Sequence, residues 1–473
     1  MAPGNNPDSP SPKRFHFVGI CGTAMGSVAA ALKEAGHEVT GSDDGVYPPM
    51  SDFLASRGIS IQAPFAAANL PPENGAVIVI GNAMSRGNPE VEAVLNARLP
   101  YISLPEALKE NFLRGRHNVV VAGTHGKTTT TSMCAWVLRA AGLDPDFMIG
   151  GIPKNLGQGA RLAGSDYFVI EGDEYDTAFF DKRSKFVHYL PEVAIINNVE
   201  FDHADIYDDL EAVMRSFERL LYIVPGNGLL LLNGDDANCR AILDRVRLRF
   251  QPPAALVGFG ERCDRRIENV EYLPGESRFT LEGETYAVPM VGEFNVRNAA
   301  MAACAARFYG VDPGAIRAAL AGFEGIKRRQ DLRGEKRGVK VIDDFGHHPT
   351  AIRETVPAIR QQFPGCRVWA IFEPRSNTSR RNLMQAELAQ ALASADVAIV
   401  AAVANPEKVP GGQLLDVAAV TGAVAAAGKE AFQEDGVEAI VARVAAGARE
   451  GDVVVVFSNG GFGGIHDKLL AAL

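Results

Sequence analysis

Short apolar, β-branched runs that stop at glycine recur along the chain, and most are followed by segments with apolar residues three and four apart. This alternation predicts buried parallel strands joined by helices. The clearest pair is the valine run 119–121 and, after a glycine turn, the helical spacing of Met133, Trp136, Val137 and Leu138. Comparable strands are expected at 15–18, 38–40, 76–80, 167–170, 193–197, 339–342, 366–372, 396–401 and 452–457. Helices are expected at 28–35, 299–308, 350–362, 383–393 and 437–446.

The fold class read from this pattern is α/β, in three domains, each a mainly parallel sheet with flanking helices. The chain has 473 residues, and at roughly 150 residues per domain that length also suits three. A tail, rich in Pro, Asn and Ser, covers 1–14. A Rossmann-like domain is expected at 15–115, a P-loop ATPase domain at 116–325 and a second Rossmann-like domain at 326–473. The Gly-punctuated, basic stretch 322–340 reads as a linker with a charged hairpin.

Composition narrows the class. Apolar residues make up 47%, enough for full cores rather than disorder. A net charge of −10 argues against general nucleic-acid binding. The six cysteines show no metal-ligand or redox spacing, as in a reduced, cytoplasmic protein. No apolar run approaches the ~20 residues of a membrane span, and the tail lacks a signal-peptide core.

The chemistry centres on Gly123-Thr-His-Gly-Lys-Thr128. Strand, glycine turn, Lys, hydroxyl and helix make a phosphate cradle, in which backbone N–H groups and a helix N-terminus face the anion. Lys127 would reach the outer phosphates and Thr128 would place its hydroxyl on Mg²⁺. The general pattern wants glycine where Val121 stands, so this is a shortened loop. The strand at 167–170 runs into Glu171, a carboxylate suited to holding Mg²⁺ directly or through water. The strand at 193–197 leads to Asn198-Val-Glu-Phe-Asp-His203, and His203 joins Thr128 and Glu171 as an expected metal ligand. Asn295 and Asn298 stand at a helix start, where capping and contact with a base are both open.

Earlier in the chain, Gly19, Gly22 and Gly26 form a turn between strand and helix, with Ser42 and Asp43 ending the next strand. This is a nucleotide-binding β-α-β. Cys21 occupies the second glycine position of the dinucleotide fingerprint, which disfavours a nicotinamide cofactor. The strand at 76–80 ends in Gly81-Asn-Ala-Met84, another strand end where ligands sit in such sheets.

In order along the chain, the glycine-lysine loop, Glu171, Asn198-Val-Glu-Phe-Asp-His203, Asn295-x-x-Asn298 and Asp343-Asp-Phe-Gly-His-His-Pro349 resemble the ATP-dependent Mur ligases of peptidoglycan synthesis. The resemblance implies an ADP-forming ligase that activates UDP-N-acetylmuramate as an acyl phosphate and joins it to a cell-wall tripeptide, with Mg²⁺ as cofactor. Catalysis then falls to Lys127, Glu171 and His203. ATP would meet Gly123, Thr124, His125, Gly126, Lys127, Thr128, Thr129, Asn295, Asn298, Asp344, His348 and Arg328 or its neighbour Arg329. The UDP-sugar would meet Gly19, Cys21, Gly22, Thr23, Ala24, Met25, Ser42, Asp43, Asn82 and Ala83. Arg375, Ser376 and Asn377, after the strand ending at Phe372, would read the peptide.

Phe294 stands where many members carry His. Several members hold a metal with a carbamylated lysine, but no lysine occurs between 186 and 326, so no carbamate is expected here. Partners are small molecules only, with no nucleic acid and no membrane, and a monomer or weak homodimer is expected. Three rivals stay open: a ligase using L-alanine in place of the tripeptide, a P-loop ATPase coupled to conformational change, and the disfavoured nicotinamide enzyme.

Overall fold

The structure is a computed structural model and describes residues 13–72 and 75–473; most of the tail expected at 1–14 lies outside them. The chain forms two compact units. One comprises the residues up to 120 together with 145–148 and 160–192, and the other comprises 121–144, 149–159 and 193–473.

In the first unit a parallel sheet runs in the order Ile61–Gln62, Glu38–Ser42, Arg14–Val18, Ala76–Ile80, Tyr101–Ser103. Its central strands are apolar and buried, as parallel strands covered on both faces must be; Phe17, Val18, Val79 and Ile80 are fully enclosed. The helix Thr23–Glu34 follows the first strand and buries Val28, Ala29 and Leu32. The helix Pro89–Ala97 starts on Asn88, whose side chain accepts from the N–H groups of Glu90 and Val91, a cap that satisfies otherwise orphaned donors. The strand Tyr167–Glu171 pairs in parallel with Asp146–Met148. The strand His117–Ala122 carries the chain from this unit into the next.

The second unit holds two sheets. In one, Val193–Ile196, Leu229–Asn233, Ala254–Gly258 and Arg265–Leu273 run parallel, and the antiparallel strands Glu276–Leu281 and Glu284–Val288 extend it. Helices Lys127–Ala140 and Glu293–Phe308 pack together beside it. The alanine-rich face of the second admits close approach, and Ala299, Ala300, Ala302, Ala303, Ala305 and Ala306 are all buried.

The other sheet runs Asp331–Lys336, Val339–Asp344, Val453–Phe457, Val368–Phe372, Val397–Ala401, Glu430–Glu434. Its first pair is antiparallel, which is the charged hairpin expected in the linker, and the remaining pairs are parallel. The three-domain α/β reading therefore stands.

Several observed elements lie outside the expected set, among them the strands Leu229–Asn233 and Ala254–Gly258 and the helices Leu210–Tyr222 and Ala237–Arg247; two more show why a pattern can fail. The helix Val417–Ala426 is Ala- and Val-rich, with no polar face to mark a period. The strand Glu430–Glu434 is an edge strand with charged ends, as edge strands often are. The helix expected from Ala299 starts at Glu293, and its N-cap, Gly292, has φ +99° and no side-chain cap. Asn295 and Asn298 therefore lie within its first turns, and the capping reading falls.

Candidate functional site

The turn after His117–Ala122 owes its shape to two glycines. Gly123 and Gly126 sit at φ +130° and +76°, a region L side chains rarely adopt. A Cβ on Gly126 would lie 2.8 Å from Asn197 Nδ2 and 3.0 Å from Asn298 Oδ1. Asn298 thus packs beneath the loop from the neighbouring helix.

The segment after Val193–Ile196 fixes the rest of the loop. Thr124 N donates to Asn198 O (3.1 Å) and His125 N to Asn198 Oδ1 (2.7 Å). Glu200 N donates to Thr124 Oγ1 (2.9 Å). Lys127 begins the helix and curls its ammonium back, with Nζ donating to the carbonyls of Gly123 (2.7 Å) and Thr124 (3.3 Å). Thr129, behind it, is buried in the helix.

A cavity of about 580 Å³ opens at Thr128, lined among others by Gly151, Lys154, Lys327, Arg329 and Phe345. Cations beside a helix N-terminus suit a polyanion such as the phosphate tail of a nucleotide. Arg329 Nη2 donates to Thr128 Oγ1 at 3.2 Å. Arg328 lines the same cavity, but its guanidinium is engaged elsewhere. Its φ is +64°, and its guanidinium donates to the carbonyls of Ser458 and Gly460, both 2.7 Å, beside Asp343 at 3.4 Å. Of the two arginines expected near the phosphates, Arg329 is the one whose guanidinium touches the loop hydroxyl. Both guanidinium groups lie over the Phe345 ring, at 5.1 and 4.9 Å from its centre.

Asp344 is buried and accepts from Gln330 N (3.0 Å) and Gly346 N (2.7 Å). Burial raises its carboxyl above the ordinary value, against the pull of Arg329. The first of these hydrogen bonds, from Gln330 N, ties it to the linker. Asn295 Nδ2 donates to Val291 O (2.8 Å) and Gln330 Oε1 (3.4 Å).

His203 sits at φ +56° next to Asp202, a strained setting for a non-glycine residue. Asp202 is buried. Burial would push its carboxyl up, but His203, His347, His348 and the Thr378 hydroxyl hold it below the usual range. The loop that carries Arg375 reaches this segment: Thr378 Oγ1 donates to Asp202 Oδ1 (2.8 Å), Asn377 Nδ2 to Asp205 Oδ2 (2.9 Å) and Arg381 Nη1 to Ala204 O (3.2 Å).

Asn377 and Ser376, expected on the peptide, are thus held by protein groups, Ser376 through Ser379 (2.8 Å). Arg375 is half-exposed and lies 3.9 Å from Glu373, a loose ion pair. His348 caps the helix Pro349–Gln362, with Nδ1 accepting from Thr350 N (3.2 Å). Sequence reasoning missed Glu200 and Thr378, although Glu200 lies inside the motif that singled out His203.

In the first unit the glycine turn is set by Ser42 O, which accepts from Gly19 N (2.9 Å) and Ile20 N (3.1 Å). Asp43 Oδ2 accepts from Cys21 N (2.9 Å). No side chain caps the helix Thr23–Glu34 at Gly22, and Gly22, Thr23 and Ala24 are exposed there, so its N-terminus suits an anion.

Two of the residues expected at the UDP-sugar are buried. Met25 is buried, and the Ser42 hydroxyl points inward to Glu90 Oε2 (2.5 Å). Ser42 therefore shapes the turn through its backbone rather than offering its hydroxyl. Asn82 and Ala83 are exposed at the end of Ala76–Ile80. Glu171 closes the strand Tyr167–Glu171 in this same unit.

Comparison with known proteins agrees with this architecture. Residues 14–116 match the Mur ligase family catalytic domain, 121–306 the Mur ligase middle domain and 328–460 the Mur ligase glutamate ligase domain. The chain belongs to the Mur ligase family. It is 45% identical, over 97% of its length and 98% of the relative's, to the UDP-N-acetylmuramate–L-alanyl-γ-D-glutamyl-meso-2,6-diaminoheptandioate ligase of Escherichia coli strain K12. It is 38% identical, over 92% of its length and 90% of the relative's, to a UDP-N-acetylmuramate–L-alanine ligase of Arthrobacter sp. strain FB24. A crystal structure of a murein peptide ligase from Psychrobacter arcticus superposes with a TM-score of 0.70 at 37% identity, covering 97% of this chain and 98% of that one. Among the described residues, no helix is long and apolar enough to cross a membrane.

Proposed function

We propose that the chain joins the tripeptide L-alanyl-γ-D-glutamyl-meso-diaminopimelate to UDP-N-acetylmuramate, with ATP cleaved to ADP and phosphate, as a cytoplasmic enzyme of peptidoglycan recycling. The observation that carries this reading is the cation-lined cavity at Thr128, with Arg329 on the hydroxyl, in a chain 45% identical to a ligase named for those substrates. We place the UDP-sugar domain at 15–115, the ATP domain at 116–325 and the peptide domain at 326–473.

The lactyl carboxylate attacks the γ-phosphorus of ATP and ADP leaves. The peptide's α-amine then attacks the acyl carbon, and the tetrahedral intermediate expels phosphate. Little covalent chemistry falls to the protein in such a transfer, so positioning and charge carry the rate. The Gly123–Gly126 turn presents N–H groups, Lys127 swings from its carbonyl partners onto the phosphates, and Arg329 draws negative charge towards Thr128. Thr128, Glu171 and His203 would hold Mg²⁺. Two oxygen donors suit that ion, which when bound neutralises the transferring phosphate. Arg375, exposed past the end of Val368–Phe372, would take a peptide carboxylate in two-pronged fashion.

A second reading, L-alanine as the amine, is favoured by the 38% identity to a ligase of that name. Phosphate release with ATP and UDP-N-acetylmuramate separates the two. The tripeptide should support turnover and L-alanine should not, and turnover without any UDP-sugar would instead indicate a coupled ATPase. Light scattering should find a monomer or weak homodimer.

A further inference from the structure

Three side chains from separate elements meet at one point, two of them (His125 and His348) among the residues expected to meet ATP. His125 comes from the phosphate loop, Glu200 from the segment after Val193–Ile196, and His348 from the cap of Pro349–Gln362. His125 Nε2 lies 3.5 Å and His348 Nδ1 3.6 Å from the same oxygen, Glu200 Oε2. One ligand atom from each residue lies within 4.8 Å of the others, and the two imidazole rings are 4.5 Å apart between centres.

These separations are too long for good charge-assisted hydrogen bonds, which run at about 2.7–2.9 Å. They are close to the roughly 3.3 Å expected between two donors bonded at about 2.0–2.1 Å to one tetrahedral ion. Of the two nitrogens that face Glu200, His125 Nε2 is unsatisfied, whereas His348 Nδ1 accepts from Thr350 N at 3.2 Å. His125 Nε2 and His348 Nε2 are buried and have no hydrogen-bond partner, and His348 is only 7% exposed. Buried polar atoms are almost always paired, so His125 Nε2, orphaned 3.5 Å from the Glu200 carboxylate, marks a missing ligand. The bond from Thr350 N leaves His348 Nδ1 unprotonated, so a lone-pair nitrogen and a carboxylate oxygen stand 3.6 Å apart, an arrangement that a cation between them would relieve.

The site is also held in place. His125 N is fixed by Asn198 Oδ1 (2.7 Å), Glu200 N by Thr124 Oγ1 (2.9 Å), and Glu200 Oε2 accepts from Thr350 Oγ1 (2.7 Å). The last contact is the kind of outer partner that orients a ligating carboxylate. Two imidazoles and a carboxylate form a donor set that suits Zn²⁺ or Co²⁺ and leaves a fourth position open, whereas Mg²⁺ prefers oxygen.

We propose that His125, Glu200 and His348 form a site for a borderline divalent cation of the Zn²⁺ or Co²⁺ kind, made of residues other than Thr128, Glu171 and His203, which are proposed for Mg²⁺. An ion there ties the phosphate loop to the first turn of Pro349–Gln362. The inference does not depend on which amine the enzyme uses.

The test is a Co²⁺ titration of the full-length, nucleotide-free protein, followed by visible absorption and calorimetry. One Co²⁺ per chain should bind, be displaced by Zn²⁺, and resist Mg²⁺ at the same concentration. His125→Asn, Glu200→Gln and His348→Asn should each weaken Co²⁺ binding about tenfold or more. Asparagine at 348 can still cap the helix, and circular dichroism of the metal-free variants verifies folding; if His348→Asn fails to fold, His125→Asn and Glu200→Gln decide. His203→Asn should leave Co²⁺ binding within twofold. The proposal is overturned if His203→Asn abolishes binding, if the three variants bind as the parent does, or if equal Mg²⁺ displaces the Co²⁺. No substrate is present, so failure here and failure of the ligase reading are told apart.

Discussion

Arg329 donates from Nη2 to Thr128 Oγ1 across 3.2 Å, so a linker residue touches the hydroxyl that follows the phosphate-loop lysine. Its neighbour Arg328 points to the carbonyls of Ser458 and Gly460 instead. Arg329→Ala should lower kcat roughly a hundredfold, the usual effect of removing one donor from a developing charge. Arg329→Lys should recover only part, because a point charge lacks the planar fork. Arg328→Ala should leave kcat within about tenfold but lower thermal stability, since buried Asp343 loses a cation. Steady-state kinetics and calorimetry on the three variants check this.

Lys127 holds two loop carbonyls, and the proposed reaction has it exchange them for phosphate oxygens. Lys127→Ala should lose roughly a hundredfold or more in rate at saturating ATP. Thr128→Ala should raise the Mg²⁺ concentration needed for half-maximal rate more than it changes the KM for UDP-N-acetylmuramate, and Thr128→Ser should restore the parent behaviour. Near-normal ligation by Lys127→Ala would sink the assignment of this loop.

Thr378 joins the peptide-side loop to Asp202, one residue before His203. Thr378→Val keeps the shape and leaves a buried carboxylate short of a donor, which costs on the order of 1–3 kcal/mol. Urea denaturation should show that loss, and Thr378→Ser should reverse it. If the contact also positions the reacting groups, kcat should fall in Thr378→Val by more than any substrate KM rises.

Arg375 lies across Gly460, where an added Cβ would come within 2.5 Å of its Nε. Gly460→Ala should therefore push the guanidinium aside and imitate Arg375→Ala. Both should cost about 2–3 kcal/mol in kcat/KM for the tripeptide, the size of one charge-assisted contact. Arg375→Lys should not rescue it. The KM values for ATP and UDP-N-acetylmuramate should stay within a few-fold, and a rise in the KM for ATP alone would count against the role.

The hairpin Asp176–Ala178 and Asp181–Ser184 carries an acid-sensitive cluster. Hydrogen bonds from Arg183 outweigh burial and hold Asp181 at about 2, while burial lowers His188 below its ordinary value despite Asp181 at 3.0 Å. A depressed carboxyl stabilises the fold above its unfolded value near 4, and that stability is lost as pH falls towards 2. A depressed imidazole stays neutral in the fold, so the unfolded chain takes up its proton first and stability also falls below about 6.5. Both terms therefore run the same way. Asp181→Asn should be less stable than the parent at pH 7, and calorimetry should find the gap narrowing by pH 3.

The elements were legible in the sequence where local chemistry decides them. The valines 119–121 form a buried strand because an unbroken β-branched run suits a strand covered on both faces. The glycine turns at Gly19 and Gly123 follow from backbone angles that L side chains disfavour. What the side chains do there was not legible. Ser42 ends the expected strand, yet its hydroxyl turns to Glu90, 48 residues on. Arg328 and Arg329 are adjacent and chemically identical, and a left-handed φ at Arg328 sends them to different partners. His125, Glu200 and His348 are 75 and 148 residues apart in the chain and meet only because two sheets present their strand ends to one point. Sequence alone determined which elements form, because propensity and apolar burial act over a few residues. Only the tertiary structure decided which donors face which acceptors, because that depends on contacts between residues far apart in the chain.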